Sequence, residues 1–404
     1  MAPVTSPDLA ILPPVPDPAA DRRALRAGMV AWAAYALVGW RGLLVPSLIL
    51  LVEPAFGQTD AGMGGYFLAT ALAYALGSLF GGRIIRAAGA RVVLPSAALL
   101  MAAGLFAQGF TGTWLVFVLA GIVVSVGAST ADVGINALVL DLFPHGRGRA
   151  LNLLHVAYGA GALTAPLLLA FLVGVGVPWP MLMVGTGVAV LVAAAALAGT
   201  VSSDPVRIEP ARDHDAAASA AGTRRLPRFL LVLAVAIAFY VAAEAGISDW
   251  LVRYLSALPF SLASAALTLF WGGIAVSRLV FARIGNRMEP LTTASWLAIA
   301  GAILLAVALV VPVSPISPVL FGAVGLAFGP IFPLVVAAAG ARMPGRSATV
   351  TGTLIFAAVV GAVIYPPAVG FMSVTVGLQV AMAGAAGLAF ACGAIAWIAR
   401  RVGD

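Results

Sequence analysis

Six ionisable residues sit inside long apolar runs of this sequence: Arg41, Asp132, His155, Glu244, Asp249 and Arg278. A charge at the centre of a bilayer costs roughly 2.5 to 3.5 kcal/mol on insertion scales, so each such residue needs a partner, an aqueous cavity or a place near a helix end. Around Asp132 the spacing is helical. Ser125, Ser129, Asp132 and Asn136 recur at intervals of four, three and four, which lays them along one face. Two readings of this polar stripe are open: it lines a water-filled path in which Asp132 exchanges a proton or accepts solute hydroxyls, or it is a packing seam with Asp132 paired to an arginine. Tyr240 and Glu244, four apart, share another face near the middle of their run. A carboxyl there suits reversible protonation. The alternative is a structural ion pair with Arg41, and a pair made in one state and broken in another is itself a means of coupling.

The remaining groups divide in the same way. Asp249 lies five residues beyond Glu244 and four before Arg253, which predicts an ion pair at the external end. His155 shares a face with Asn152, Gly159, Ala162 and Pro166, as a hydrogen-bonded packing residue or a proton carrier. Trp271 and Arg278, seven apart, share a face as well. The indole either stacks on a sugar ring or only packs, and Arg278 is expected to snorkel to the cytoplasm. Pro330 and Pro333, with Gly325 and Gly329, weaken or kink one run, and Pro366 with Pro367 another. Breaks of that kind occur at mid-membrane transport sites and also in plain packing.

These residues need helices to hold them. Of 404 residues, 62% are hydrophobic and 9% charged, against roughly 25% charged in soluble domains, so lipid must solvate most of the chain. The runs are long and continuously apolar, which means helices and not barrel strands. Twelve spans are predicted near 27–51, 64–84, 92–110, 114–140, 150–174, 179–200, 229–252, 262–284, 291–312, 317–340, 348–372 and 376–399. The chain then divides into a disordered cytoplasmic tail over 1–26, a six-helix half over 27–200, a polar linker over 201–227 and a second six-helix half over 228–404.

The formal charge of +7 does not indicate a nucleic-acid binder, because the basic residues come one to three at a time between apolar runs. Arg22, Arg23, Arg26, Arg83, Arg86, Arg91, Arg147, Arg149, Arg283, Arg287, Arg342, Arg346, Arg400 and Arg401 all fall on one side, as do the linker arginines, while Glu53, Asp60 and Arg253 fall on the other. The positive-inside rule places both termini in the cytoplasm of a bacterial-type inner membrane. There is no lysine, which excludes a Walker-type phosphate loop and a lysine Schiff base. Three scattered histidines and the single Cys392 supply neither a metal site nor an enzymatic cluster, so no metal and no cofactor is expected.

The halves echo each other. An offset of 200 positions lays Pro144 on Pro344, Gly161 on Gly361, Pro166 on Pro366 and Phe171 on Phe371. Arg83, Gly89 and Arg91 find counterparts in Arg278, Gly285 and Arg287. A parallel repeat about an axis along the membrane normal is one of the known transporter architectures.

Several motifs sharpen this. Asn136-Ala-Leu-Val-Leu-Asp-Leu-Phe-Pro144 is followed by Ala150-Leu-Asn-Leu-Leu-His155-Val-Ala-Tyr-Gly-Ala-Gly-Ala162 and Pro166. Tyr240, Glu244, Trp250 and Tyr254 mark the seventh span, Phe270-Trp-Gly-Gly273 with Arg278 the eighth, and Phe328-Gly-Pro-Ile-Phe-Pro333 the tenth. In these the chain resembles the fucose, galactose and glucose permease-like branch of the major facilitator superfamily. The resemblance implies an all-α fold of two pseudo-symmetric six-helix bundles, alternating access around a central cavity, and sugar uptake driven by protons or occasionally sodium. Taken with the spacing above, the candidates for solute or proton roles are Arg41, Asp132, Asn136, His155, Tyr240, Glu244, Trp250 and Trp271, and those for a cytoplasmic gate are Arg83, Arg86, Gly89, Arg91, Arg278 and Arg287. Two departures stand out. Arg86 occupies the place of the signature loop's aspartate, and Arg41 stands in the first span where fucose permeases carry a carboxylate. Proton-coupled uptake of a monosaccharide or similar small polar solute by a monomer is the leading expectation, with Asp132 and Glu244 carrying protonation. Proton-driven efflux of drugs or metabolites, transport of an organic anion and, remotely, a non-transporting sensor are the rivals.

Overall fold

Apolar helices satisfy their own backbone groups, and that is how this chain meets lipid. The computed structural model describes residues 18–143, 147–200 and 226–402. Among these residues there is no strand, and twelve helical spans are long and apolar enough to cross a membrane. They are Ala24–Ala55, Asp60–Ala88, Ala90–Phe110, Trp114–Leu142, Gly148–Gly174, Trp179–Gly199, Arg228–Tyr254, Phe260–Ile284, Pro290–Val310, Ser317–Arg342, Thr349–Val376 and Leu378–Ala399, numbered first to twelfth below. Their ends fall within four residues of the predicted runs.

The expected tail needs one correction. Helix begins at Pro18, well inside the segment 1–26, because proline's fixed φ is preorganised for a first helical turn. Residues 1–17, most of the linker at 201–225, and Pro144 of the repeat lie outside the described residues.

Small residues decide how the spans meet, since helix association in lipid depends on close packing. A Cβ added at Gly161 would collide with the Ala36 carbonyl, with Trp40 N 3.0 Å away. One at Gly361 would collide with the Ala238 carbonyl, with Ala242 N again 3.0 Å away. The fifth span thus crosses the first as the eleventh crosses the seventh, through glycines 200 positions apart. Side chains such as Leu79, Phe110, Phe171 and Phe356 are exposed, and apolar surface of that extent belongs against lipid.

Two spans are interrupted. The tenth divides into Ser317–Phe328 and Ile331–Arg342, and the first into Pro18–Gly42 and Leu44–Ala55. Both breaks have one cause: Pro333 and Pro46 lack the N–H that would bond to the carbonyl four residues back, that of Gly329 and of Gly42. Pro166 and Pro366 lie inside helices that continue unbroken.

Candidate functional site

Three polar groupings occupy the middle of the bundle. The first surrounds Asp132 of the fourth span. Its Oδ1 accepts hydrogen bonds from the Tyr35 hydroxyl at 2.5 Å and from Asn136 Nδ2 at 2.9 Å, and its Oδ2 accepts one from the Tyr74 hydroxyl at 2.5 Å. Asn136, one helical turn on, also donates to the Tyr35 oxygen at 3.1 Å. Four spans converge here, because Tyr35 packs on Tyr158 and on His155 of the fifth, with ring centroids 5.7 and 6.1 Å away. His155 is exposed although one edge of it lies on this cluster. The Asp132 partners are therefore phenols and an amide, and among the described residues no arginine takes part.

The second grouping lies on the other half. The Tyr240 hydroxyl donates to Glu244 Oε1 at 2.9 Å, and Arg278 Nη2 stands 3.8 Å from the same oxygen. Arg278 Nε donates at 3.0 Å to the carbonyl of Gly329, the group that Pro333 leaves without a helical donor. Arg278 was expected to snorkel and to serve the cytoplasmic gate with its neighbours. It points instead to the broken helix, since a free carbonyl and a carboxylate together outweigh solvation at the membrane surface. Arg83, Arg86, Arg91 and Arg287 are exposed. Gly89 ends the second span at φ 77°, a conformation that suits glycine, whereas its counterpart Gly285 has φ −59°.

Between the halves lies the third feature, a cavity of about 360 Å³, within the size range of small-molecule sites. Its wall is mostly apolar, from Leu44, Val45, Leu105, Val124, Val241 and Val363, and its polar groups include Arg41, Thr70, Tyr74, Gln108 and Asp249. Of the eight residues predicted to hold solute or proton, Arg41 alone lines it. Arg41 does not meet Glu244. Its Nη2 donates to Ser125 Oγ at 2.5 Å, and its guanidinium lies 5.9 Å from the Tyr74 ring centroid. Tyr74 connects the cavity to the first grouping, with its ring beside Arg41 and its hydroxyl on Asp132. Trp250 is fully buried, donates from Nε1 to the Pro366 carbonyl at 2.7 Å and sets its ring edge on Phe67, which makes it a packing residue. Trp271 is half-buried and stands outside the cavity.

Spacing along one helix misassigned Asp249. Its expected partner, Arg253, reaches across to the first half and bonds Glu53 Oε2 at 2.9 Å and Asp60 Oδ1 at 2.8 Å. Two carboxylates hold a guanidinium better than one, so Asp249 is left on the cavity wall. The Arg253 bonds tie the halves together at the end opposite the arginine-rich loops. Backbones also touch there, for a Cβ on Gly64 would stand 2.9 Å from the Pro367 carbonyl and one on Gly370 would stand 2.8 Å from Gly64 Cα. Tyr35 and Tyr74 are the residues that sequence reasoning passed over, and Asp249 is the one to which it gave the wrong partner. The tyrosines come from other helices, so no single-helix spacing reveals them.

Among the described residues no cluster of three histidine, cysteine or carboxylate side chains could hold a metal ion. No curated protein matches the chain. Two solved structures share the fold, with TM-scores of 0.75 and 0.73 at 14% identity, each match covering 96% of this chain and 98% of the other. Both are crystal structures of a bacterial homologue of the human lysosomal transporter Spinster, one inward-facing and unoccupied, the other inward-facing and occupied. Residues 27–352 match the Major Facilitator Superfamily. With twelve spans, a cavity between two related halves and a family match over most of its length, the chain belongs to the Major Facilitator Superfamily and is a transporter, not an enzyme.

Proposed function

We propose that this protein is a proton-coupled secondary transporter that works by alternating access and takes up a small polar solute of about monosaccharide size. The observation that carries the proposal is the cavity: it lies between the halves, the Arg253 bonds close the outer end above it, and each half holds a tyrosine-bonded carboxyl near it. Asp132 and Glu244 are the proton carriers in this reading. Protonation weakens the bonds that Asp132 accepts from Tyr35 and Tyr74 or that Glu244 accepts from Tyr240, and in Glu244 it also removes the charge facing Arg278, so a proton changes what the helices around the cavity bond to. The exposure of His155 and Arg278 on the arginine-rich side, with the outer end tied shut, fits an inward-facing state. A proton moving through 100 mV gains roughly 2.3 kcal/mol, enough for about fifty-fold accumulation.

The resemblance of the motifs to the fucose, galactose and glucose permease-like branch supports a sugar as the solute class. A second class, organic anions, is favoured by Arg41, which has no carboxylate within 4.0 Å among the described residues. A thermal-shift panel of sugars, sugar acids, amino acids, nucleosides and lipophilic drugs on the purified protein, repeated from pH 5 to 8, tests the proposal. Stabilisation by a small polar solute with a pH-dependent shift is expected. Stabilisation by lipophilic drugs alone would contradict it.

A further inference from the structure

From the two charges in the cavity wall we infer that the cavity binds a zwitterion with an aliphatic body, its anionic group on Arg41 and its cationic group on Asp249. The inference rests on the proposal that a small polar solute is carried through this cavity, and it names the class of that solute.

Arg41 belongs to the first half and Asp249 to the second, and both line the same space. Arg41 is already aimed: Ser125 holds one guanidinium nitrogen and the Tyr74 face lies beside the group, which leaves its other donors for a carboxylate. Asp249 is half-buried and has no hydrogen bond or ion pair among the described residues. Asp132, Glu244, Glu53 and Asp60, by contrast, each have a donor. A carboxylate left bare in an apolar wall, opposite a guanidinium with donors to spare, is an uncompensated arrangement that a ligand of matching polarity completes.

A neutral sugar can hydrogen-bond to both groups but neutralises neither charge, and a simple anion leaves Asp249 without a counter-charge and adds a second negative group near it. A zwitterion meets both and adds no net charge to the membrane interior. The walls between the poles, Leu44, Val45, Leu105, Val124, Val241 and Val363, suit a branched or straight aliphatic body. Because the poles lie on different halves, such a ligand also links the halves, so its binding responds to their relative position.

Equilibrium calorimetry on the full-length protein in detergent, with no gradient, tests this separately from coupling. The probes are L-leucine, 6-aminohexanoate for a wider charge separation, 4-methylpentanoate and 3-methylbutylamine as the single-charge relatives of leucine, and D-glucose. At least one zwitterion is expected to bind at least tenfold more tightly than both single-charge compounds. Asp249→Asn is expected to abolish the preference over 4-methylpentanoate, and Arg41→Gln the preference over 3-methylbutylamine, with each variant's melting temperature recorded to verify its fold. Equal binding of the anion and the zwitterions by wild type, or a preference that survives in folded Asp249→Asn, would overturn the inference. Binding of glucose alone would overturn it and leave the transporter proposal standing, whereas absence of binding by every probe would overturn it while the pH panel decides that proposal on its own.

Discussion

Glu244 and Arg278 form a pair whose third member is a helix break. Pro333 withholds an N–H from the Gly329 carbonyl, and Arg278 supplies the missing donor while facing Glu244. The account therefore makes a coupled prediction. Arg278→Gln should lower stability by about 1–3 kcal/mol, the range for an orphaned acceptor, with the ion-pair share reduced because Arg278 is 45% exposed. Pro333→Ala returns the main-chain donor, so on that background the same substitution should cost about 1 kcal/mol less. Melting in detergent across the four proteins checks this, and strict additivity would contradict it. At this scale the sequence was partly legible. The intervals joining Asp132 to Asn136 and Tyr240 to Glu244 correspond to bonds in the structure, because both residues of each pair lie on one helix. Tyr35, Tyr74 and Arg278 reach their carboxylates from other helices, and the rotation of one helix against another is set by packing that no single period records.

Among the elements, close crossings and breaks carry the architecture. Gly161 and Gly361 have backbone against the place a Cβ would take, while Gly185 has nothing within 4 Å. Alanine at either of the first two should cost about 1–3 kcal/mol from overpacking, and alanine at Gly185 should be neutral or slightly stabilising. Thermal unfolding of the three variants checks the contrast. At the start of the ninth span Glu289 caps the helix, accepting from Leu291 N at 3.1 Å and Thr292 N at 2.5 Å, with Arg400 3.8 Å away. Partial burial pushes its pKa up, but these hydrogen bonds and Arg400 together bring it below the usual 4.5. A lowered folded value means that the carboxylate stabilises the fold above the unfolded value and ceases to do so as pH falls through the folded one. Glu289→Ala should thus cost about 0.5–1 kcal/mol at pH 7, and the difference should fade below pH 4, as melting curves against pH will record. The break in the tenth span was legible from Pro330 and Pro333. The one in the first span carries the same signal, glycine with proline four residues on at Gly42 and Pro46, and went unread because the first span was judged by its hydropathy.

For the molecule as a whole, the twelve spans were legible because lipid enforces long apolar helices, and so was the likeness of the halves, because equal crossings need equal small residues. What faces what across the cavity was not, for the halves meet only in three dimensions. Arg253 shows this: it serves two carboxylates of the other half and leaves Asp249 to the cavity. Arg253→Gln should loosen the outer end by about 1 kcal/mol, raising outward-facing states roughly fivefold. A cysteine placed at Val363 on the cavity wall, with Cys392 replaced by alanine, should then react faster with an impermeant thiol reagent added outside, and an unchanged rate would contradict the closure.

Proton coupling through Glu244 is the central claim. Its most direct test is uptake of the best-bound solute by proteoliposomes with an alkaline interior. Wild type should accumulate the solute and lose that accumulation with a protonophore, whereas Glu244→Gln should still exchange solute at equilibrium but show no response to the gradient. A Glu244→Gln protein that accumulates solute under the gradient as wild type does would contradict the claim.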